Sequence, residues 1–206
     1  VKLRVLMAIG LGCMLIVSCG PVKMPVTHTY TLSLAPEKHA RKRAMPYTLL
    51  ISKPGAAAGY KTTEMYYLKK PYMLEPFAKN AWESPPPNML YPILVKRFQD
   101  SRAFRAVSSS PYADKTDYRL DTQLLELYQN FMTNPSHLKF KAKVAVTRVR
   151  DNHVMASRMI TVDIPCSQNN PYGGVTAANQ AVARFVEETL DFVIKEVQSE
   201  RGGSHS

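Results

Sequence analysis

The feature that most constrains this chain is a strict alternation across residues 138–164. Leu138, Phe140, Ala142, Val144 and Val146 take every second place, with Lys139, Lys141 and Lys143 between them. A period of two marks a strand with one dry face and one wet face. Val154, Ala156, Ile160, Val162 and Ile164 repeat the pattern, with Arg158 as the exception. Two such runs around Asp151-Asn152 read as an antiparallel hairpin. A two-residue loop throws the second apolar set onto the lysine side. A three-residue loop, Asp151 to His153, pairs Val144 with Ile160, Ala142 with Val162 and Phe140 with Ile164. It also sets Lys141 opposite Asp163, so burial and charge together select it.

The remaining segments fit around that hairpin. Residues 117–131 read as a long strand whose alternation slips between Leu120 and Leu125, which predicts a bulge. Shorter strands are expected at 28–34, with Tyr30, Leu32 and Leu34 on one face, and at 47–53, 63–69 and 73–80. The last two are broken at Lys70-Pro71, and a turn is expected at 54–59. Ser84 as a cap, with Pro85, Pro86 and Pro87 after it, predicts a helix carrying Met89, Leu90, Ile93, Leu94 and Phe98. Pro92 inside that pattern either kinks the helix or delays its start. A second amphipathic helix is expected over 175–200. Ala178, Ala181, Val182, Phe185, Val186, Leu190, Val193, Ile194 and Val197 form its apolar stripe, with Tyr172-Gly173-Gly174 as the loop before it. The fold class expected is α+β: a two-layer antiparallel sheet with two main helices packed on one face.

The first residues speak to compartment. Lys2 and Arg4 precede an apolar run over residues 5–17, too short for a spanning helix and suited to a signal peptide. The run ends in Ile16-Val17-Ser18-Cys19, a small residue directly before cysteine, as at the cut site of a lipoprotein signal peptide. The expected division is a signal peptide at 1–18, a lipidated tether at 19–27 beginning with acylated Cys19, one domain at 28–200, and a flexible polar tail at 201–206. Gly20 after the cysteine, rather than Asp, favours the outer membrane, lipid-anchored on the periplasmic side. Acyl chains on Cys19 make such an anchor effectively permanent. Cys13 leaves with the signal and Cys166 has no partner within the chain, so it is expected to be buried or merely tolerated. Removing Lys2 and Arg4 from the 27 basic residues leaves 25 against 16 acidic, a net of +9. A basic exported protein suits anionic head groups, and export excludes nucleic acid as a partner.

Motifs for chemistry are sparse. The chain has no nucleophile elbow, no metalloprotease helix motif, no Cys-x-x-Cys and no phosphate-cradling glycine loop. The histidines at 28, 39, 137, 153 and 205 are scattered, and Asp121 and Glu126, five apart on one strand, point to opposite faces. The expectation is no enzyme, no cofactor and no metal. Two basic groups remain as binding candidates. Lys38, Arg41, Lys42 and Arg43 lie shortly after the anchor and suit a membrane surface as well as they suit a solvated loop. Lys139, Lys141 and Lys143 form a face that suits an acidic docking partner. A third group, Tyr60, Tyr66, Tyr67, Tyr72, Phe77 and Trp82, reads first as core, with its tyrosine density hinting at an interface.

The anchored cysteine, Tyr30-Thr31-Leu32, and Trp82-Glu83-Ser84-Pro85-Pro86 before an amphipathic helix resemble the ABC-type transport auxiliary lipoproteins, the paraquat-inducible protein C-like family. The likeness continues through Leu90, Leu94, Phe98, Phe104-Arg105-Ala106-Val107 and the long C-terminal helix; Pro87 and Pro92 depart from the family pattern. The resemblance implies a non-enzymatic subunit of an MCE-type lipid transport system. Its partners would be an MCE-domain protein with separate permease and ATPase subunits, and its cargo phospholipid. Homo-oligomerisation stays open. The alternative class is a structural or regulatory outer-membrane lipoprotein that assists envelope assembly or activates a cell-wall synthase.

Overall fold

A single 13-residue strand organises the molecule. In the computed structural model, which describes residues 27–34, 44–109 and 116–203, nine strands and two helices follow in order. They are β1 (His28–Tyr30), β2 (Met45–Ile51), β3 (Gly55–Ala56), β4 (Glu64–Lys70), β5 (Met73–Trp82), α1 (Pro86–Ser101), β6 (Phe104–Ser109), β7 (Tyr118–Asn130), β8 (His137–Arg148), β9 (His153–Pro165) and α2 (Pro171–Gly203). Strand β7 is the spine. Strand β8 runs antiparallel along one edge of it and β9 antiparallel beyond β8. Along the other edge three strands pair parallel in turn: β2 against Tyr118 to Leu120, β3 against Gln123 and Leu124, and β4 against Tyr128 to Asn130. The sheet therefore forks. One branch adds β6, parallel to β2; the other adds β5, antiparallel to β4, then β1, parallel to β5.

The class is α+β with two helices, as expected, and the sheet is mixed rather than antiparallel throughout. Alternation decides which side of a strand is dry but carries no information about the direction of its neighbour. Strand β6 was also not anticipated, and strand β1 stops at Tyr30, although Leu32 is still buried and Leu34 still packs on the core.

The hairpin β8–β9 shows what a period of two can and cannot determine. Its faces are as read: Leu138, Phe140, Ala142, Val144, Val146, Ile160, Val162 and Ile164 are all buried. Its register is displaced by two residues. Ala142 faces Ile160, Phe140 faces Val162, Leu138 faces Ile164, and it is Lys139, not Lys141, that lies opposite Asp163. The connection is longer than three residues. A 3-10 turn over Val149–Asp151 ends on Asn152 in the left-handed region at φ 53, and the ladder slips once between Val146 and Thr147. A shift of two preserves every face, so burial alone cannot distinguish the two registers. The bulge expected in β7 is present, between Leu124 and Glu126. Arg158 lies opposite Val144 but is exposed, and a charge on that side of an edge strand hinders pairing with another chain.

The helices cover the dry face. Every residue of the apolar stripe read for α2 is buried, and Phe185 meets Phe140 with ring centroids 5.0 Å apart. Helix α1 places Leu90, Leu94 and Phe98 at full burial, each such side chain contributing about 1.5–3 kcal/mol. It also packs on α2, and Thr189 and Phe192, not counted in the stripe, are buried too. At that contact the buried Arg97 guanidinium donates to both carboxylate oxygens of Glu187, one bond measuring 2.6 Å. Helix α1 starts at Pro86 and runs through Pro92; the cap position is Pro85, with no side-chain hydrogen bond, so Ser84 is not its cap. Asn88, whose carbonyl Pro92 cannot serve, shares the exposed side with Pro92, where water can satisfy it. Helix α2 begins four residues earlier than its stripe suggests and takes in Tyr172, Gly173 and Gly174.

Candidate interaction surface

The lysine face is built by the register just described. On the wet side of β7, β8 and β9, Lys139 pairs with Asp163, whose other oxygen lies 2.7 Å from His137 Nδ1. Lys141 reaches Glu126 at 3.4 Å. Burial pushes the Asp163 carboxyl up, but hydrogen bonds from Lys139 and His137 outweigh it and hold it below its usual value. Tyr128, opposite Lys139 on the ladder, has its hydroxyl raised by burial and then by the Glu126 charge. Only Lys143, exposed between Gln123 and Met159, lacks an ion-pair partner among the described residues. Two of the three lysines are thus engaged within the sheet, so the face offers an acidic partner less charge than its sequence suggests. Cys19 and the group Lys38, Arg41, Lys42 and Arg43 lie outside the described residues.

The aromatic group separates into core and ribbon. Tyr60 and Trp82 are buried; burial pushes the Tyr60 hydroxyl up to about 12, and its ring packs edge-on against Tyr66 at 5.8 Å. Tyr67 and Phe77 meet tilted at 4.6 Å, with Phe131, just past the end of β7, closing the cluster at 6.1 Å and 6.3 Å. Beyond this cluster the β4–β5 ribbon ends in a turn at Pro71-Tyr72. Tyr72, at φ 66, is fully exposed, and Met73 and Leu74 beside it are 47% and 41% exposed. Lys69 Nζ sits 4.8 Å above the Tyr67 ring, and Lys70 is exposed next to it. The Phe131 amide donates to the Leu68 carbonyl at 2.8 Å, which holds the β7–β8 loop, with exposed Met132, alongside the ribbon. The sequence reading included Tyr72 but not this tip. The signal was available: an apolar Tyr-Met-Leu run at the very break marked by Lys70-Pro71.

The other titratable groups serve structure. At the far end of β7, Glu200 of α2 accepts from the Tyr118 hydroxyl at 2.7 Å and pairs with Arg148, which also holds Asp151 at 2.7 Å. The Arg148 hydrogen bond lowers Asp151 to about 2. Burial pushes Glu200 up, but the bonds from Tyr118 and Arg148 leave it below its usual range. Cys166 is buried and free, its thiol raised by burial. Among the described residues no cluster of three His, Cys, Asp or Glu is arranged to hold a metal, and no helix is long and apolar enough to cross a membrane.

The architecture, a forked mixed sheet under two helices, is shared with solved proteins. Protein XCC0632 from Xanthomonas campestris, of the DUF330 family, superposes with a TM-score of 0.74 at 21% identity, over 86% of this chain and 99% of that one. The hypothetical protein CT253 from Chlamydia trachomatis gives a TM-score of 0.55 at 10% identity, over 74% of this chain and 98% of that one. These likenesses define the fold. No curated protein matches the chain. The chain belongs to the ABC-type transport auxiliary lipoprotein component family, whose model matches residues 30–189. That span runs from Tyr30 of the first strand to Thr189 in the last helix, so the resemblance read from the Tyr-Thr-Leu and Trp-Glu-Ser-Pro-Pro segments holds at family level. A lipoprotein family of this kind is membrane-anchored and envelope-associated.

Proposed function

We propose that this chain is a non-enzymatic docking subunit of an MCE-type transport system. Acylated Cys19 tethers it to the periplasmic side of the outer membrane. There it receives an MCE-domain protein whose permease and ATPase are separate chains, and phospholipid passes between the inner and outer membranes. The observation that carries this reading is the family match across residues 30–189. Gly20 after Cys19 supports the outer-membrane address. Among the described residues, the void beside Trp82, lined by Met65, Phe77, Leu127, Leu138 and Gly174, measures about 10 Å³. That is room for about one water molecule, not for an acyl chain.

Crosslinking pull-down of the full lipoprotein from its native envelope, with mass spectrometry and a Cys19→Ala control, tests the proposal. The expected result is an MCE-domain protein that is lost or reduced in the control. Recovery of cell-wall synthases or barrel-assembly proteins in its place would overturn the transport role and favour an assembly or regulatory one.

A further inference from the structure

We propose that the tip of the β4–β5 ribbon is a second membrane contact, inserting Tyr72, Met73 and Leu74 into the anionic phospholipid surface that holds the lipid anchor. The proposal rests on the reading of Cys19 as acylated. Three observations lead to it. First, of the eight exposed large apolar side chains among the described residues, four, Tyr72, Met73, Leu74 and Met132, gather at this one end of the molecule. Second, the charge around them is basic on balance, two lysines against Glu75, which lies one residue beyond Leu74 and is hydrogen-bonded to the Tyr67 hydroxyl. Lys69 and Lys70 are exposed at the tip, and the stretch from Lys69 to Leu74 contains no acidic residue. Tyrosine and aliphatic side chains flanked by lysines match a head-group layer, the rings at the interface and the ammonium groups on phosphates.

The third observation is the path of the chain. Strand β1 runs parallel to β5, His28 beside Asn80 and Tyr30 beside Trp82. Because β5 runs from the tip toward Trp82, the chain preceding His28 arrives from the side of the tip. Nine residue-to-residue steps lead from Cys19 to His28. Fully extended they reach about 30 Å. The eight steps from Asn80 back to Tyr72 cover at most about 26 Å of strand. A tether of this length, arriving from this side, is long enough for the acylated residue to stand level with Tyr72, so that anchor and ribbon can meet the same plane. The opposite end of the molecule also exposes Val149 and Val154. There, though, Arg148 is neutralised by Asp151 and Glu200, and the chain enters β1 from the other side, the side of the tip. The mechanical consequence is orientation: a lipid chain alone lets the domain swivel, while an anchor and a ribbon tip together fix which face the domain turns to the periplasm.

The test uses the acylated protein purified from cells expressing the full chain and reconstituted into phosphatidylethanolamine–phosphatidylglycerol vesicles containing brominated acyl chains. Tryptophan is placed by Tyr72→Trp at the tip and by Val154→Trp at the far end; buried Trp82 gives a constant background. Met73→Trp reads the same depth if the first variant folds poorly. The expected result is a blue shift and loss of most of the emission added at the tip, with that added at 154 unaffected. Acylated, vesicle-bound protein whose tip emission is neither shifted nor quenched would overturn the ribbon contact and leave the anchor standing. Purified protein whose mass shows no acyl groups would remove the anchor and the ribbon proposal together.

Discussion

Replacing Gly173 by alanine opposes two effects of similar size, and the structure decides which is larger. Gly173 lies in the first turn of α2, where its amide donates to Asn170 Oδ1 at 2.8 Å. By helix propensity alone alanine is preferred over glycine by about 1 kcal/mol. A Cβ at this position, however, meets the Gln168 carbonyl oxygen at 2.1 Å and its carbon at 2.9 Å. Both are backbone atoms, so the chain before the helix must move. Overpacking of this kind costs about 1–3 kcal/mol. Moving the helix start also draws the amide off its cap, at about 1 kcal/mol more. The net expectation is a loss of about 2 kcal/mol, which for a domain of this size lowers Tm by about 4–8 °C. Thermal unfolding of the detergent-solubilised protein, followed by circular dichroism, measures it. Gly59→Ala is the comparison: a Cβ there has nothing within 4 Å, and the variant should melt at or slightly above the parent. If Gly173→Ala also melts at or above the parent, the close approach is absent in solution and α2 starts near Val175, as its stripe alone implies.

Two further outcomes follow from the core and from the ion pairs. Phe140→Ala, at a position with no exposure and its ring 5.0 Å from Phe185, should lose about 3–5 kcal/mol in urea unfolding; a loss below about 1 kcal/mol would contradict the packing of α2 on β8. Asp151 has its carboxyl lowered from 3.8 to about 2 by Arg148, so the unfolded chain binds more protons between those values. The stabilisation is therefore complete above about pH 4 and lost as pH falls through about 2. The urea midpoints of the parent and Asp151→Asn should converge over that window, and a gap that does not change with pH would refute the pairing.

Much of the fold was legible from side-chain periodicity. The buried sides of β8, β9 and α2, the slip in β7 near Leu125 and the proline-rich start of α1 all follow from local chemistry: a strand repeats every two residues, a helix every 3.6, and proline suits a first turn. Parity reaches no further than the face. A register displaced by two residues buries the same side chains, which is why Lys139 rather than Lys141 came to face Asp163. The longer turn over Val149–Asp151 and the left-handed Asn152 made that choice, and their geometry depends on Arg148 holding Asp151 and Glu200.

By itself, then, the sequence determined which residues must be dry, the α+β class, and a cysteine after a signal-like segment. Tertiary structure alone decided the parallel pairings along β7, because strand direction is set by which neighbours the chain can reach, not by any residue within the strand. It also decided that the first turn of α2 needs two glycines, since contacts with Gln168 and Gln129 forbid a Cβ at Gly173 and Gly174. And it decided that the Tyr72 tip stands clear of the core, because exposure belongs to the space left by all other elements and is written in no single segment.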